Sequence, residues 1–395
     1  MTTGFEIARV GTRPRLRTHS RLGIFCIALM LATALGACGK GSRDDKAGDV
    51  APNATVVSSG TVAAPVAGAT ANTLAFTQAV DLQRTAKTIR EKVGYLSAGL
   101  LINGLVCRPN EVGRFPILMY QHGGFSGVGG DANGDGLCQY MAERGYAVFM
   151  SSYRGEDGSQ GQVEYCGGEV DDSIQLLAIA RMQAYVSSDE IALLGLSHGG
   201  CISLQMIARG VPAKVVADVF GATEWSMLYE YSQARAVQPG ADPELTQFIT
   251  QASTTIGTPQ VASAAYRARS PLYSASALSS FGGSLLVVHG ARDEVVPPKQ
   301  SCDLVRSMGG FRNSHLSVRY VPGLAERTVT SHPNECGAPD MPWVDAEHPG
   351  KQNWQGQRHF TFYDEMSHIG GVQLPYAIDD AENFIRTKLP GGRRN

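Results

Sequence analysis

Short apolar runs alternate with segments of helical periodicity from about residue 90 onwards. The apolar runs are continuous rather than alternating with polar residues, which is typical of strands buried on both faces of a parallel sheet. Strands are predicted at 91–97, 100–108, 116–121, 146–151, 191–194, 214–220, 284–288 and 359–363. Helices are predicted at 137–144, 169–185, 199–209 and 375–389. This order predicts an α/β fold, with a mostly parallel central sheet and helices on both faces.

Two stretches interrupt the alternation. Residues 222–280 have a helical pattern and are expected to form a small cap inserted between two strands. Residues 331–356 contain several prolines, one cysteine and two tryptophans, and are expected to be a loop insertion. Residues 73–395 are therefore predicted to form one α/β domain carrying both insertions, which is consistent with the length of the chain.

The N-terminal segment has the pattern of an export signal. A basic region ending at Arg21 precedes the apolar run Leu22–Leu35, which is short for a membrane span. The run ends in Leu35-Gly36-Ala37-Cys38, which resembles the bacterial lipobox. This resemblance implies that residues 1–37 are a signal peptide and that Cys38 carries a lipid. The alternative is an uncleaved membrane anchor with Cys38 as a buried thiol.

Residues 39–72 are rich in small residues and lack aromatics, so residues 38–72 are expected to be the lipidated cysteine and a flexible linker. The residue after Cys38 is glycine rather than aspartate, which by resemblance to lipoprotein sorting favours the outer membrane. The expected location is the cell envelope, facing the periplasm or the cell surface. The lipid is expected to be the only attachment to the membrane.

The charge of the chain argues against a polyanionic partner. The net charge is −2, but residues 1–37 carry five arginines against one glutamate, so the remaining chain has a net charge of −6. A mildly acidic domain does not attract nucleic acid, and none is expected as a partner.

Six of the eight cysteines lie in the predicted domain: Cys107, Cys138, Cys166, Cys201, Cys302 and Cys336. Export permits disulfides, but six cysteines allow fifteen pairings, so the connectivity stays open. Cys302–Cys336 and Cys138–Cys166 are the provisional pairs. Cys201 is expected to be a free thiol, because it lies on a predicted buried helix.

The strand at 191–194 leads into Gly195-Leu196-Ser197-His198-Gly199, a G-x-S-x-G motif that is followed by a helix. This context is the one in which the motif carries a nucleophile, because the sharp turn exposes the serine hydroxyl at the end of a strand. The hydroxyl would lie at a helix N-terminus, where the dipole favours negative charge. Ser197 is therefore predicted to be the nucleophile. The alternative is an ordinary N-cap serine in a glycine-rich turn.

A serine hydroxyl needs an imidazole to take its proton and a carboxylate to orient that imidazole. Asp293 follows a buried strand on a loop expected at the same sheet edge as Ser197, whereas Glu294 fits a solvated loop charge better. His368 lies between the last strand and the last helix and is the predicted base. His359 is the main alternative, but it opens a strand, where a ring cannot swing freely as an acid and base.

The segment Gln121-His122-Gly123-Gly124-Phe125 follows the strand at 116–121. Its glycines let the backbone approach a substrate carbonyl. The backbone N–H of Gly124 or Phe125 is expected to be one donor of an oxyanion hole, and that of His198 the other.

The next residues carry two weaker motifs. Gly127–Ala132 fits G-x-G-x-x-A, which is typical of dinucleotide sites, but His122–Gly124 already accounts for this loop. Asp131–Gly136 resembles the start of a calcium loop, although Ala142 stands where the closing glutamate belongs. Calcium at Asp131–Asp135 stays open. No cofactor is expected and no metal ligand is assigned, since zinc-type spacings are also missing.

These elements resemble the α/β-hydrolase superfamily, and within it the catalytic domain of prolyl-oligopeptidase-like (S9) hydrolases, with dienelactone-hydrolase-like esterases close by. The matching segments are Phe115–Gly124, Tyr153-Arg154-Gly155, Gly195–Gly200, Arg269–Tyr273, His289–Pro297 and His368. The resemblance covers about residues 90–390. It differs from the long S9 peptidases in lacking their large N-terminal propeller and in the wide separation of Asp293 from His368.

The resemblance implies a serine hydrolase that cleaves a carboxylic ester or a short-peptide amide through an acyl-enzyme. Ester and amide cleavage share the same tetrahedral chemistry, so a carboxylesterase without peptidase activity is an alternative. A catalytically inactive hydrolase-fold lipoprotein that only binds a ligand is an alternative of another class. The expected partner is a small ester or a short peptide, and the oligomeric state stays open.

Overall fold

The computed structural model describes residues 74–128, 135–316, 336, 343–345, 354–368 and 374–389. Within these ranges, eleven strands form a single sheet. In chain order the strands are β1 (Gln78–Arg84), β2 (Thr88–Ser97), β3 (Leu100–Pro109), β4 (Phe115–Gln121), β5 (Ala147–Ser151), β6 (Val186–Leu196), β7 (Val215–Val219), β8 (Ser284–Gly290), β9 (Arg312–Leu316), β10 (Trp343–Asp345) and β11 (Arg358–Tyr363).

The helices of the described ranges lie between and after these strands. They are α1 (Asp135–Glu143), α2 (Gly168–Arg181), α3 (His198–Ala208), α4 (Trp225–Ala236), α5 (Pro243–Thr255), α6 (Ser263–Arg269), α7 (Ala275–Ser279), α8 (Lys299–Met308) and α9 (Leu374–Lys388). A short 3-10 turn at Pro271–Ser274 separates α6 from α7.

The spatial order of the strands is β1-β2-β3-β5-β4-β6-β7-β8-β11-β9-β10. The pairs β1–β2, β2–β3 and β3–β5 are antiparallel, whereas every later pair is parallel. The predicted α/β fold with a mostly parallel sheet is therefore confirmed. The strands predicted at 91–97 and 100–108 correspond to β2 and β3, which pair as a hairpin.

Both faces of the central strands are buried. In β6, Ile191 and Leu193 belong to one apolar cluster, whereas Ala192 and Leu194 belong to the other. Successive side chains of a strand point to opposite faces, so a strand covered on both sides reads as a continuous apolar run. Helices α2 and α3 cover the first face, and α1 and α9 cover the second.

Strand register brings the carboxyl ends of β4, β6, β7, β8 and β11 to one edge of the sheet. Gln121 pairs with Gly195 across β4 and β6, and Gly195 pairs with Asp218 across β6 and β7. Tyr363 pairs with Gly290 across β11 and β8. Ligands of open α/β sheets bind at this edge, and the loops that leave it carry the predicted site residues.

The two interruptions of the pattern differ from each other. Helices α4 to α7 lie between β7 and β8, in the stretch for which the sequence predicts a helical cap. In the predicted loop insertion, the described Trp343–Asp345 forms β10, which pairs with β9. The strands β1, β9 and β10 were not predicted. β1 is exposed along its length and so lacks the apolar run by which a buried strand is detected.

Several expectations fall outside the described residues. These are the signal peptide at 1–37, the lipidated Cys38, the linker to residue 72 and residues 131–134 of the calcium motif Asp131–Gly136. Among the helices that the structure describes, none combines the length and the apolar character that crossing a bilayer requires.

The disulfides correct part of the predicted cysteine pairing. Cys302 pairs with Cys336 as predicted, but Cys138 pairs with Cys107 and not with Cys166, which pairs with Cys201. The prediction that Cys201 is a free thiol is therefore wrong. Helix α1 packs on β3, which brings Cys138 to Cys107, and the loop before α2 lies against α3, which brings Cys166 to Cys201.

Candidate active site

Ser197 forms the turn between β6 and α3. Its backbone has φ 55° and ψ −118°, a left-handed conformation that is strained for a residue with a side chain. The residue stands at the N-cap of α3, but its side chain makes no capping hydrogen bond. Its hydroxyl is therefore not used to hold the helix end, in contrast to the alternative of an ordinary N-cap serine.

The two glycines of the motif are required by space. A Cβ at Gly195 would lie 2.3 Å from the carbonyl oxygen of Gly199, across the turn. A Cβ at Gly199 would lie 2.0 Å from the carbonyl oxygen of Gln121, at the end of the neighbouring β4. The first glycine therefore permits the turn, and the second lets α3 begin directly against the adjacent strand.

The structure brings the three predicted side chains together. His368 Nε2 lies 2.8 Å from Ser197 Oγ, and His368 Nδ1 lies 2.8 Å from Asp293 Oδ2. The side chain of His368 is 9% exposed, and its ring packs on Phe220 with a centroid distance of 4.6 Å. One imidazole therefore joins a hydroxyl and a carboxylate that are far apart in the chain.

Asp293 is held by its own loop as well as by His368. Its Oδ1 accepts hydrogen bonds from the N–H groups of Val295 (3.0 Å) and Val296 (2.8 Å). Burial by itself would raise the pKa of Asp293, but the charge of His368 and hydrogen bonds from His289 and His368 outweigh it. The net effect holds the pKa below its usual range, so the carboxyl group is ionised at neutral pH.

Contacts between two loops bridge the long separation of Asp293 from His368. The N–H of Ala291 donates to Tyr363 O at 2.8 Å, and that of Arg292 donates to Met366 O at 3.1 Å. The Arg292 guanidinium also donates to Glu365 at 2.6 Å. Since β8 and β11 are neighbours in the sheet, these bonds join the loop that carries Asp293 directly to the loop that carries His368.

The alternative residues lie elsewhere. His359 is buried in β11, where its ring packs against Trp354 and Phe384 at centroid distances of 5.2 and 5.5 Å. The carboxylate of Glu294 is largely exposed and forms an ion pair with Arg235 of α4. Neither side chain belongs to the hydrogen-bonded group around Ser197.

The loop after β4 lies against the turn at Ser197. A Cβ at Gly123 would lie 3.0 Å from Ser197 Cβ, so the backbone at this point touches the serine. Gly124 follows with φ 71°, in the left-handed region that glycine adopts without strain. Gly124 and Phe125 directly follow the glycine that contacts Ser197. His198, the first residue of α3, directly follows Ser197 in the chain.

The imidazole of His198 is a buried acceptor. Its Nε2 lies 3.1 Å from the backbone nitrogen of Cys166, whose N–H donates to it. Burial lowers the pKa of His198 to about 3, so the ring is neutral at physiological pH and can accept this bond. The loop that carries Cys166 is therefore fixed to α3 twice, by this hydrogen bond and by the disulfide to Cys201.

An aromatic cluster surrounds His198 on the side of the cap. Phe125 and Trp225 lie 5.2 and 5.9 Å from the His198 ring centroid. Tyr165 contacts Phe125 at 5.0 Å and Phe248 of α5 at 5.3 Å. Trp225 and Phe248 belong to helices between β7 and β8, so these helices supply apolar side chains beside the site.

Two residues near the site, His289 and Glu156, were not among the predicted site residues. His289 was noted as part of a motif, and the structure places its Nε2 3.4 Å from Asp293 Oδ2. Glu156 directly follows Tyr153-Arg154-Gly155, and its carboxyl group is buried beside His122. The position of Glu156 directly after this segment was the available signal in the sequence, whereas its burial is decided by the tertiary structure.

Part of this chain is similar in sequence to known peptidases. Residues 135–324 match the prolyl oligopeptidase family, Peptidase S9. The uncharacterized peptidase YtmA of Bacillus subtilis is 27% identical over 208 residues, which are 52% of this chain and 74% of that protein. Dipeptidyl aminopeptidase BIII of Pseudoxanthomonas mexicana is 26% identical over 215 residues, 52% of this chain but 29% of that protein.

Solved structures are similar in fold. The acylaminoacyl peptidase of Pyrococcus horikoshii superposes with a TM-score of 0.53 at 16% identity, over 78% of this chain and 43% of that chain. Acetyl xylan esterase 1 of Thermoanaerobacterium gives a TM-score of 0.52 at 14% identity, over 78% of this chain and 86% of that chain. The matches cover 29% of dipeptidyl aminopeptidase BIII and 43% of the acylaminoacyl peptidase, so this chain spans less than half the length of either protein. It has the α/β-hydrolase fold of these peptidases and esterases, and its residues 135–324 match the prolyl oligopeptidase family.

Proposed function

We propose that this protein is a serine hydrolase that cleaves a carboxylic ester or a short-peptide amide bond through an acyl-enzyme. The observation that carries the proposal is the continuous hydrogen-bonded chain from Ser197 Oγ through His368 to Asp293. This arrangement at the edge of an α/β sheet supports acyl transfer, because it supplies a nucleophile, a base and an orienting carboxylate.

In the proposed reaction, Ser197 Oγ attacks the substrate carbonyl carbon while His368 Nε2 takes the hydroxyl proton. Asp293 accepts the Nδ1–H of His368 and stabilises the imidazolium that forms. The tetrahedral intermediate collapses when His368 returns the proton to the leaving alcohol or amine. Water then attacks the acyl-serine, with His368 again acting as the base.

The proposed oxyanion hole has two backbone donors. One is the N–H of His198, at the N-terminus of α3, where the helix dipole also favours a negative charge. The other is the N–H of Gly124 or Phe125, in the loop that touches Ser197 through Gly123. Losing one such donor typically costs about 3 kcal/mol in the barrier.

A fluorophosphonate probe tests the proposed nucleophile. Labelling of the wild-type protein and its loss in Ser197→Ala are expected. A matched control is Ser187→Ala, since Ser187 lies near the other end of β6, away from the carboxyl-end edge of the sheet. Equal labelling of wild type and Ser197→Ala, or no labelling of either, would contradict the proposal.

A carboxylesterase without peptidase activity is the second candidate. It is favoured by the structural similarity over 86% of acetyl xylan esterase 1, which this chain matches at nearly full length. A panel of p-nitrophenyl esters against aminoacyl- and prolyl-nitroanilides separates the two. Turnover of the esters without turnover of the nitroanilides would support the carboxylesterase. An inactive binding protein would turn over neither series.

We also propose that the protein is exported and anchored to the cell envelope by a lipid on Cys38. The support is the sequence Leu35-Gly36-Ala37-Cys38 behind a basic and apolar leader. Metabolic labelling with an alkyne fatty acid should mark the wild-type protein and not Cys38→Ser. Labelling that persists in Cys38→Ser would exclude this site.

A further inference from the structure

The loop after β4, residues 122–128, is held at both ends by one neighbouring segment, residues 152–158. At the start of the loop, the Tyr153 hydroxyl lies 3.2 Å from Gln121 Oε1 and 3.4 Å from the His122 carbonyl oxygen. The Tyr153 ring also stacks on the His122 ring, with a centroid distance of 4.2 Å. Tyr153 thereby fixes the point at which the chain leaves β4.

Glu156 holds the other end of the loop. Its Oε2 accepts a hydrogen bond from the Gly127 N–H at 2.6 Å. Gly127 has φ 80°, and a Cβ at this position would lie 2.4 Å from the Cβ of Asp157. The backbone of Gly127 therefore lies directly on residues 156 and 157, and the carboxyl group of Glu156 secures it there.

The Glu156 carboxyl also faces the imidazole of His122. Glu156 Oε2 lies 4.0 Å from His122 Nε2, and both side chains are buried. His122 Nδ1 lies 2.9 Å from the Gly123 carbonyl oxygen, to which it donates, so the neutral ring turns its acceptor nitrogen towards Glu156. The carboxyl group thus lies between the two ends of the loop.

We propose that Glu156 is a positioning residue for the oxyanion hole: by holding Gly127, it fixes the amides of Gly124 and Phe125 relative to Ser197. The proposal rests on the proposed serine hydrolase function. A loop tied only at Tyr153 could swing about that point, whereas a loop tied at both ends keeps its amides in one place. A misplacement of about 1 Å in such a site can cost about 100-fold in rate.

The charge state of Glu156 follows from its surroundings. Burial raises its pKa to about 9, with further contributions from two neighbouring acids, and burial lowers the pKa of His122 to about 4. Both groups are therefore uncharged between about pH 4 and 9. The titratable groups that face or influence Glu156 are His122 at the end of β4, Tyr153 and Asp157 of its own segment, Tyr165 of the loop before α2, and Glu169 of α2.

Ionisation of Glu156 would place a negative charge next to the loop at residues 122–128, which carries a proposed oxyanion donor. Such a charge opposes the oxyanion that forms in the transition state, so kcat is expected to fall above about pH 9. A glutamine at this position can still accept the Gly127 N–H but cannot ionise. It should therefore keep the loop in place and remove this part of the alkaline decline.

The test compares Glu156→Ala and Glu156→Gln with wild type, using the ester or anilide that the wild type turns over best. Glu156→Ala is expected to lose at least tenfold in kcat and in the rate of fluorophosphonate labelling, with KM changed less than threefold. Glu156→Gln is expected to lose less than threefold at pH 7 and to retain its kcat at pH 9.5 better than wild type. Glu143→Gln, an exposed residue at the end of α1, is the matched control.

Two outcomes would overturn the proposal. One is a kcat of Glu156→Ala within threefold of wild type. The other is a kcat loss in Glu156→Gln as large as that in Glu156→Ala, because the glutamine preserves the acceptor for the Gly127 N–H. Failure of the proposed function is distinguishable, because in that case the wild-type Ser197 itself would not react with the probe.

Discussion

His289 Nε2 lies 3.4 Å from Asp293 Oδ2, the same oxygen that accepts the hydrogen bond of His368. His289 is itself fixed, with its Nδ1 2.7 Å from Ser301 Oγ and its Nε2 2.9 Å from Val296 O. Together with the two backbone N–H groups at Oδ1, these contacts surround the carboxylate with donors. A carboxylate held in this way keeps one orientation, and so does the imidazole bonded to it.

Replacement of Asp293 by asparagine should abolish most of the activity. The amide cannot hold the His368 tautomer that presents an acceptor to Ser197, and a loss of roughly 10³–10⁴-fold in kcat is expected. Glu294→Gln is the matched control, because Glu294 points to Arg235 and not to His368. Steady-state kinetics of both variants test this, and an equal loss in the two would argue against Asp293 as the orienting acid.

The close packing around the turn at Ser197 predicts a strong effect of a single added methyl group. Gly199→Ala would place a Cβ 2.0 Å from the Gln121 carbonyl oxygen, which is backbone and cannot move aside alone. We expect loss of fluorophosphonate labelling and a lower melting temperature. Gly136→Ala is the control, since nothing lies within 4 Å of a Cβ there. Normal labelling of Gly199→Ala would show that the turn is looser than the structure describes.

Two disulfides of similar span allow a matched comparison. Cys166–Cys201 closes 35 residues and Cys107–Cys138 closes 31, so removing either by double serine substitution should cost a similar stability, about 3–4 kcal/mol. Only Cys166–Cys201 joins α3 to the loop whose backbone donates to His198. Its removal should therefore reduce kcat more, by about tenfold or above. Equal kcat values in the two double variants, measured well below their melting temperatures, would refute this difference.

Asp218 predicts a pH dependence of stability. It is fully buried in β7, under the first turn of α3, where a Cβ at Gly200 would lie 2.1 Å from its Oδ1. Burial raises its pKa to about 8, so the folded state keeps the proton while the unfolded state loses it above about pH 4. The folded state then binds more protons, and this group lowers the stability progressively as pH rises from about 4 to 8.

Asp218→Asn removes this ionisation without changing the size of the side chain. The melting temperature of the variant relative to wild type should therefore rise between pH 5 and pH 8, by several degrees. Asp189→Asn is a suitable control, because the Asp189 side chain is 84% exposed. A difference between variant and wild type that does not change with pH would mean that Asp218 is already ionised in the folded protein.

Local patterns in the sequence were sufficient for the fold, and they selected three residues whose side chains the structure brings together. Continuous apolar runs predicted most of the central strands, because a strand buried on both faces has no polar positions. Ser197 was identified from G-x-S-x-G in a strand-to-helix context, and Asp293 and His368 from their places after later strands. Each of these inferences depends on neighbours along the chain or on the order of elements, which the sequence states directly.

The residues that hold the site in place could not be predicted from the sequence, because their partners depend on how distant elements pack. Cys166 was assigned to Cys138, yet it pairs with Cys201 because the loop before α2 lies against α3. Glu156 was not singled out from the sequence, because only the folded chain buries it beside His122. The sequence by itself determined the alternation of elements and the strand-to-helix turn at Ser197, since these follow from local propensity and spacing. The tertiary structure decided which cysteines join, which acids are buried and which loops meet, since distances of a few ångströms between remote residues are set only when the sheet and its helices are assembled.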